Sequence, residues 1–338
     1  MPARRALALA LAVLCFALAG TGHGAGDWAP PAAAHPTSPL PIDTEIAARI
    51  LALDPTRLSE RDVREVLARA PAPRIINLQG SLAFVTMQPF AEFLIAMGYP
   101  EERLREPGGG ALSYSSFVDS GELAGMLAWH YERDGMMPLL IGHSQGGMIA
   151  IRVLHELAGA FSDAIAVRNP ETGAPAGRTT IRDPLTGATR PVVGLKVPYV
   201  AALATGKLPR LLLGQWSMLP KLRQIPDSAV EFTGFAIEWD LVAGNFPGAE
   251  SYAATGSAAV RNVTLPATYS HIGLPNAVHL AADPATRAWI EAYDPAAPPA
   301  PLPETSGVDT TNLLHAADIW FSVKKHWCIA AQALLATR

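Results

Sequence analysis

The sequence predicts an α/β chain with a mostly parallel central sheet flanked by helices and interrupted by an inserted cap or lid region. Three observations carry this. From Pro73 onward, short apolar runs alternate with helix-period patterns, the rhythm of βαβ units. One such run, Met137–Ile141, enters Gly142-His143-Ser144-Gln145-Gly146-Gly147, which leads without a gap into the helical pattern Met148–Leu154. The 338 residues are 49% hydrophobic and only 17% charged, enough apolar side chains for a large core.

The chain opens with Arg4 and Arg5, an apolar run Ala6–Ala19 and a small-residue stretch to Ala25. This is the pattern of a secretory signal over residues 1–25, too short for a membrane span, so an exported chain (periplasmic or secreted) with no stable span after signal removal is expected. Residues 26–72 read as a Pro/Ala-rich leader followed by two helical patterns. The second is introduced by Ser59 with Asp62 three residues on, a capping box with Asp in place of Glu.

The catalytic-domain pattern spans 73–294. Arg74–Leu78 is the first strand, and Gln79-Gly80-Ser81-Leu82 the turn that ends it. A helix over Met87–Met97 stops at Gly98, and another covers Ser120–Glu132. From about 160 to 226 the rhythm breaks. Two turn signals, Asn169–Gly173 and Asp183–Gly187, flank the β-prone Arg178–Ile181 and predict a hairpin excursion. After the strand Val197–Leu203, the apolar stretch 207–226 is either a cap or lid or an amphipathic helix covering the core. Strands at Glu231–Ile237 and Val260–Leu265 and a helix carrying Trp289 and Ile290 complete the domain. Residues 295–338 are a Pro-rich linker and a terminal helix whose Leu313, Trp320, Trp327 and Leu334 recur at heptad-like spacing on one packing face.

A net charge of −4 and the lack of a basic stripe with interleaved aromatics give no basis for nucleic-acid binding. No metal-ligand cluster, phosphate loop or dinucleotide fingerprint occurs, so no cofactor is expected. The two cysteines are Cys15, inside the signal, and Cys328. The mature chain would keep one thiol and no internal disulfide.

Strand, Gly-x-Ser-x-Gly and helix in that order form a nucleophile elbow, a turn so tight that Ser144 is strained and lifted clear of its neighbours. A serine hydroxyl needs a base to take its proton. These residues resemble the α/β-hydrolase fold, specifically its lipase- and esterase-like serine hydrolases, over roughly Pro73–Tyr293. The resemblance implies a triad in the chain order Ser, acid, His. Asp240, ending the strand 231–237, fills the acid slot ahead of its neighbour Glu238. His271, in the loop after the last strand, fills the base slot ahead of His279, His315 and His326. The implied oxyanion donors are the backbone N–H groups of Gln145 and of Ser81, with Leu82 as the alternative to Ser81. The expected activity is hydrolysis of a small-molecule or lipid-like carboxylic ester through an acyl-enzyme. Acyl transfer, thioester or amide cleavage by the same triad, and a non-catalytic binding protein on the same scaffold, stay open.

Overall fold

In a computed structural model of the chain, five strands lie side by side and all run parallel. They are β1 (Ile75–Leu78), β2 (Leu139–His143), β5 (Val197–Leu203), β7 (Ala229–Ile237) and β9 (Ala259–Leu265), in the order β1-β2-β5-β7-β9. The structure describes residues 42–246, 250–298, 300–305 and 307–337, so the expected signal over 1–25 and the Pro/Ala-rich leader lie outside the described residues. The inner strands β2 and β5 are near-continuous apolar runs because both faces of the sheet are covered there, whereas the edge strand β9 is largely exposed. Side-chain alternation divides them between two cores. Ile75, Leu139, Ile141, Tyr199, Ala201, Leu203 and Phe235 point to one. Ile76, Leu78, Leu140, Val200, Ala202 and Phe232 point to the other.

The first core is covered by α3 (Gln88–Met97), α7 (Val278–Ala282), α8 (Pro284–Ala292) and α9 (Leu313–Ala336). In α9, Leu313, Trp320 and Trp327 are fully buried and Leu334 nearly so, the face that the heptad-like spacing marked. Each such side chain contributes about 1.5–3 kcal/mol of burial. The second core lies under α4 (Ser120–Asp134) and α5 (Gln145–Leu157). Gly98 and Gly135 end α3 and α4 in the left-handed region that glycine adopts without strain.

The amino-terminal helices α1 (Thr44–Leu51) and α2 (Glu60–Glu65) pack on the same body, and Ser59 and Asp62 form the expected capping box. Polar ties run from α9 back to this region. Trp327 Nε1 donates to Pro71 O at 3.0 Å, Lys324 Nζ to Leu58 O at 3.0 Å, and Gln332 Nε2 to Ile50 O and Leu53 O at 3.0 and 2.9 Å.

The excursion before β5 contains an antiparallel hairpin, β3 (Thr180–Arg182) with β4 (Thr189–Pro191), turned by Asp183–Gly187. The stretch 207–226 is not one amphipathic helix. It is a short helix α6 (Leu208–Leu212), a 3₁₀ turn at Trp216–Met218 and a two-residue strand β6 (Gln224–Ile225) paired with β8 (Ala253–Ala254). Gly214 at φ 69° separates the first two pieces, and Pro220, lacking an N–H, prevents a longer helix. Among the described residues no helix is long and apolar enough to cross a membrane.

Candidate active site

Parallel strands deliver their carboxyl ends to one edge of the sheet, and the three residues with the strongest sequence signal meet there. At the end of β2, Ser144 sits at φ 52°, ψ −110°, between the strand and the first turn of α5. A non-glycine residue at positive φ is strained, at a cost of about 1–3 kcal/mol, and persists only where its surroundings over-determine it. They do so here. Ser144 N–H donates to Leu203 O at 2.8 Å, and Thr205 Oγ1 donates to Ser144 O at 3.0 Å. The helix leaves so close to β1 that a Cβ on Gly146 would lie 2.1 Å from Leu78 O. Two further non-glycine residues with positive φ stand at the same edge, Ala204 (48°) after β5 and Trp239 (60°) after β7.

Trp239 turns the chain so that Asp240 points inward. Asp240 is buried, and its Oδ1 accepts the backbone N–H groups of Val242 and Ala243, each at 3.0 Å. Its other oxygen, Oδ2, lies 2.7 Å from His271 Nδ1, and His271 Nε2 lies 3.0 Å from Ser144 Oγ. With a carboxylate as its partner, Nδ1 carries the proton. Nε2 is then the acceptor, and the serine hydroxyl donates to it. The imidazole is 9% exposed and the carboxylate 2%, so bulk water competes little for either bond.

The other candidate histidines are engaged elsewhere. His279 and His315 bond to backbone carbonyls of Asp309 and Leu274, at 2.9 Å each, and His326 to Glu231 at 3.1 Å. Glu238 is exposed at the strand end. His143, next to the serine, points away from it and donates from Nε2 to the backbone carbonyl of His271 at 2.7 Å. Burial, and then the neighbouring His271, push its pKa down to about 3, so it stays neutral and acts as a fixed donor that holds the His271 loop.

Gln145 is the first residue of α5, and N–H groups in a helix's first turn have no intrahelical partner. The turn after β1 comes up beside it. A Cβ on Gly80 would be 3.5 Å from Ser144 Cβ, and Gly80 O is held by Ser116 Oγ at 3.1 Å. Ser81 and Leu82 follow directly, both half-buried.

Around this edge several loops present apolar side chains to solvent. Phe84 is 75% exposed, Trp216 68%, Trp239 58% and Leu241 68%, an unusual concentration beside one polar cluster. The segment 207–226 is fastened to the site by two buried arginines. Arg223 stacks over Tyr252 (4.3 Å to the ring centre) and donates to Asn245 Oδ1 at 3.2 Å, behind the Asp240 loop. Arg210 donates to the side-chain oxygens of Gln145 and Gln215. Thr205, Arg210 and the His143–carbonyl bond had no sequence signal, because each joins residues at least 61 positions apart.

No family model matches the chain, and no curated protein does. Among solved structures it is similar to one described as "RedJ with PEG molecule bound in the active site", at 15% identity and a TM-score of 0.28. The match covers 67% of this chain and 92% of that one. The likeness is too distant to bear on the chemistry.

Proposed function

We propose that this chain is an exported serine hydrolase that cleaves carboxylic esters on an α/β-hydrolase scaffold, with 207–226 as its cap. One observation carries the reading: an unbroken hydrogen-bonded chain from Ser144 Oγ through His271 to the buried carboxylate of Asp240, starting at a strained turn on a helix N-terminus. His271 takes the Ser144 proton as Oγ attacks the ester carbonyl. Asp240 holds the Nδ1–H tautomer and stabilises the imidazolium. His271 then protonates the leaving alkoxide, and water attacks the acyl-enzyme by the same route. The tetrahedral oxyanion is received by the backbone N–H groups of Gln145 and Ser81, at the positive end of α5. The apolar rim favours an acyl or lipid-like substrate over a charged one.

The test is labelling by a fluorophosphonate and turnover of p-nitrophenyl esters. The parent is expected to do both and Ser144→Ala neither. A variant labelled and active like the parent would refute the reading.

A further inference from the structure

Arg210 is 1% exposed, yet no carboxylate lies within ion-pairing distance of it among the described residues. Its Nη1 is shared by two neutral amides, Gln145 and Gln215, and its Nε has no partner. Glu250 is taken by the neighbouring Lys207. Among the described residues the ionisable group that acts on Arg210 is the phenol of Tyr252, itself buried. Burial lowers its pKa only to about 10, so it is a cation at neutral pH.

A buried, unpaired charge costs several kcal/mol. This one also sits against the first residue of α5, a 13-residue helix whose N-terminus already carries positive potential. Two positive features therefore face the same spot with no negative charge between them. An apolar side chain would fill the volume more cheaply. A negative charge at the end of α5 would relieve both, and the reaction proposed above creates one for the lifetime of the tetrahedral intermediate.

We infer that Arg210 is a positioning residue for the oxyanion hole, acting through Gln145. The guanidinium clamps the Gln145 side chain and so fixes the direction of its backbone N–H. It also keeps an uncancelled positive charge in water-poor surroundings behind that donor. Because Arg210 is enclosed, it does not touch substrate. Its contribution therefore falls on the charged transition state and not on binding of a neutral ester, the distinction that separates kcat from KM. The same contact ties the stretch 207–226 to the elbow, so this segment supports the chemistry from behind as well as covering it. The inference rests on the acyl-transfer reading.

The experiment compares the full chain with Arg210→Met, Arg210→Gln and Arg210→Lys. Phenylboronic acid supplies the decisive readout. Ser144 Oγ bonds to boron, the hydroxyl proton passes to His271, and the tetrahedral boron carries the negative charge. In Arg210→Met, kcat for p-nitrophenyl butyrate and affinity for the boronic acid are expected to fall together, by roughly ten- to a hundredfold, less than for outright loss of a donor. KM should stay near the parent value, and Arg210→Lys should recover part of the loss. If the Met variant does not fold, Arg210→Gln, which keeps a polar group for Gln215, must show the same split. A folded neutral variant with unchanged kcat and boronic acid affinity overturns the inference. So does one whose KM rises for an ester bearing a carboxylate while boronic acid affinity holds, which would make Arg210 a substrate-anion site. Failure of the parent to label with fluorophosphonate sinks the acyl-transfer reading and this inference together. Labelling with an indifferent Arg210 sinks only the second.

Discussion

Replacing Asp240 by Asn tests the site at one atom. The carboxylate has two distinct sides. Oδ1 accepts two backbone N–H groups, from Val242 and Ala243, and Oδ2 faces His271 Nδ1. An asparagine has one oxygen, and the two fixed N–H donors claim it. Its NH₂ must then point at His271 Nδ1, which can meet it only as an acceptor. The imidazole proton moves to Nε2 and faces Ser144 Oγ, where an acceptor is required. Geometry is preserved while the tautomer is inverted. The expected loss is about 10⁴-fold in kcat, about 5 kcal/mol of barrier. The fold should lose much less, about 1 kcal/mol for the weaker acceptor of two N–H bonds. Steady-state hydrolysis of a p-nitrophenyl ester beside a thermal melt reads both quantities. Glu238→Gln is the comparison, since that side chain is exposed at the strand end and should leave the rate unchanged. A folded Asp240→Asn protein within tenfold of the parent would refute the reasoning.

Acid should destabilise the protein well above the carboxylate range. Burial pushes His130 and His143 down to about 3 and His315 to about 4, whereas in the unfolded chain each titrates near 6.5. Their stabilising contribution is present above pH 6.5 and lost as pH falls towards those values, because the unfolded state takes up protons that the folded state refuses. At pH 5 this comes to about 2 kcal/mol per histidine. Melting temperature should therefore drop steeply from pH 7 to pH 5, less so in His130→Leu, and a flat profile would contradict it. Glu231 adds a second window at lower pH. Burial alone would raise its pKa, but hydrogen bonds from His326 and Lys325 outweigh that and hold it at about 2, so its contribution disappears as pH falls from 4.5 to 2. Gly206→Ala should damage stability and turnover together. A Cβ there would lie 1.7 Å from Ala243 O, on the loop that carries Asp240, and overpacking of this kind costs about 1–3 kcal/mol. An unchanged melt and unchanged kcat/KM would show that the loop yields freely.

What could be read from the sequence was what is local or periodic. The elbow spans six consecutive residues between a strand and a helix, the capping box four, and the buried face of α9 follows from spacing alone. The order of Asp240 and His271 after Ser144 was legible because each follows a recognisable strand. The internal breaks of 207–226 were less so, since its apolar composition hid the turn at Gly214. The arrangement behind the site was not legible at all. Thr205 pinning the elbow, His143 holding the His271 carbonyl and Arg210 gripping Gln145 depend on which loops the sheet order brings together. No pattern in the vicinity of any one of them carries that information.

The ties from α9 to the amino-terminal helices also set an order of events at the ribosome. The carbonyls of Ile50, Leu53, Leu58 and Pro71 find these partners only on Lys324, Trp327 and Gln332, more than 250 residues later. Until synthesis passes Gln332, the first helices lack these bonds and the sheet face beneath α9 stays bare. A nascent chain that has not reached Gln332 therefore lacks this fastening between its first helices and α9.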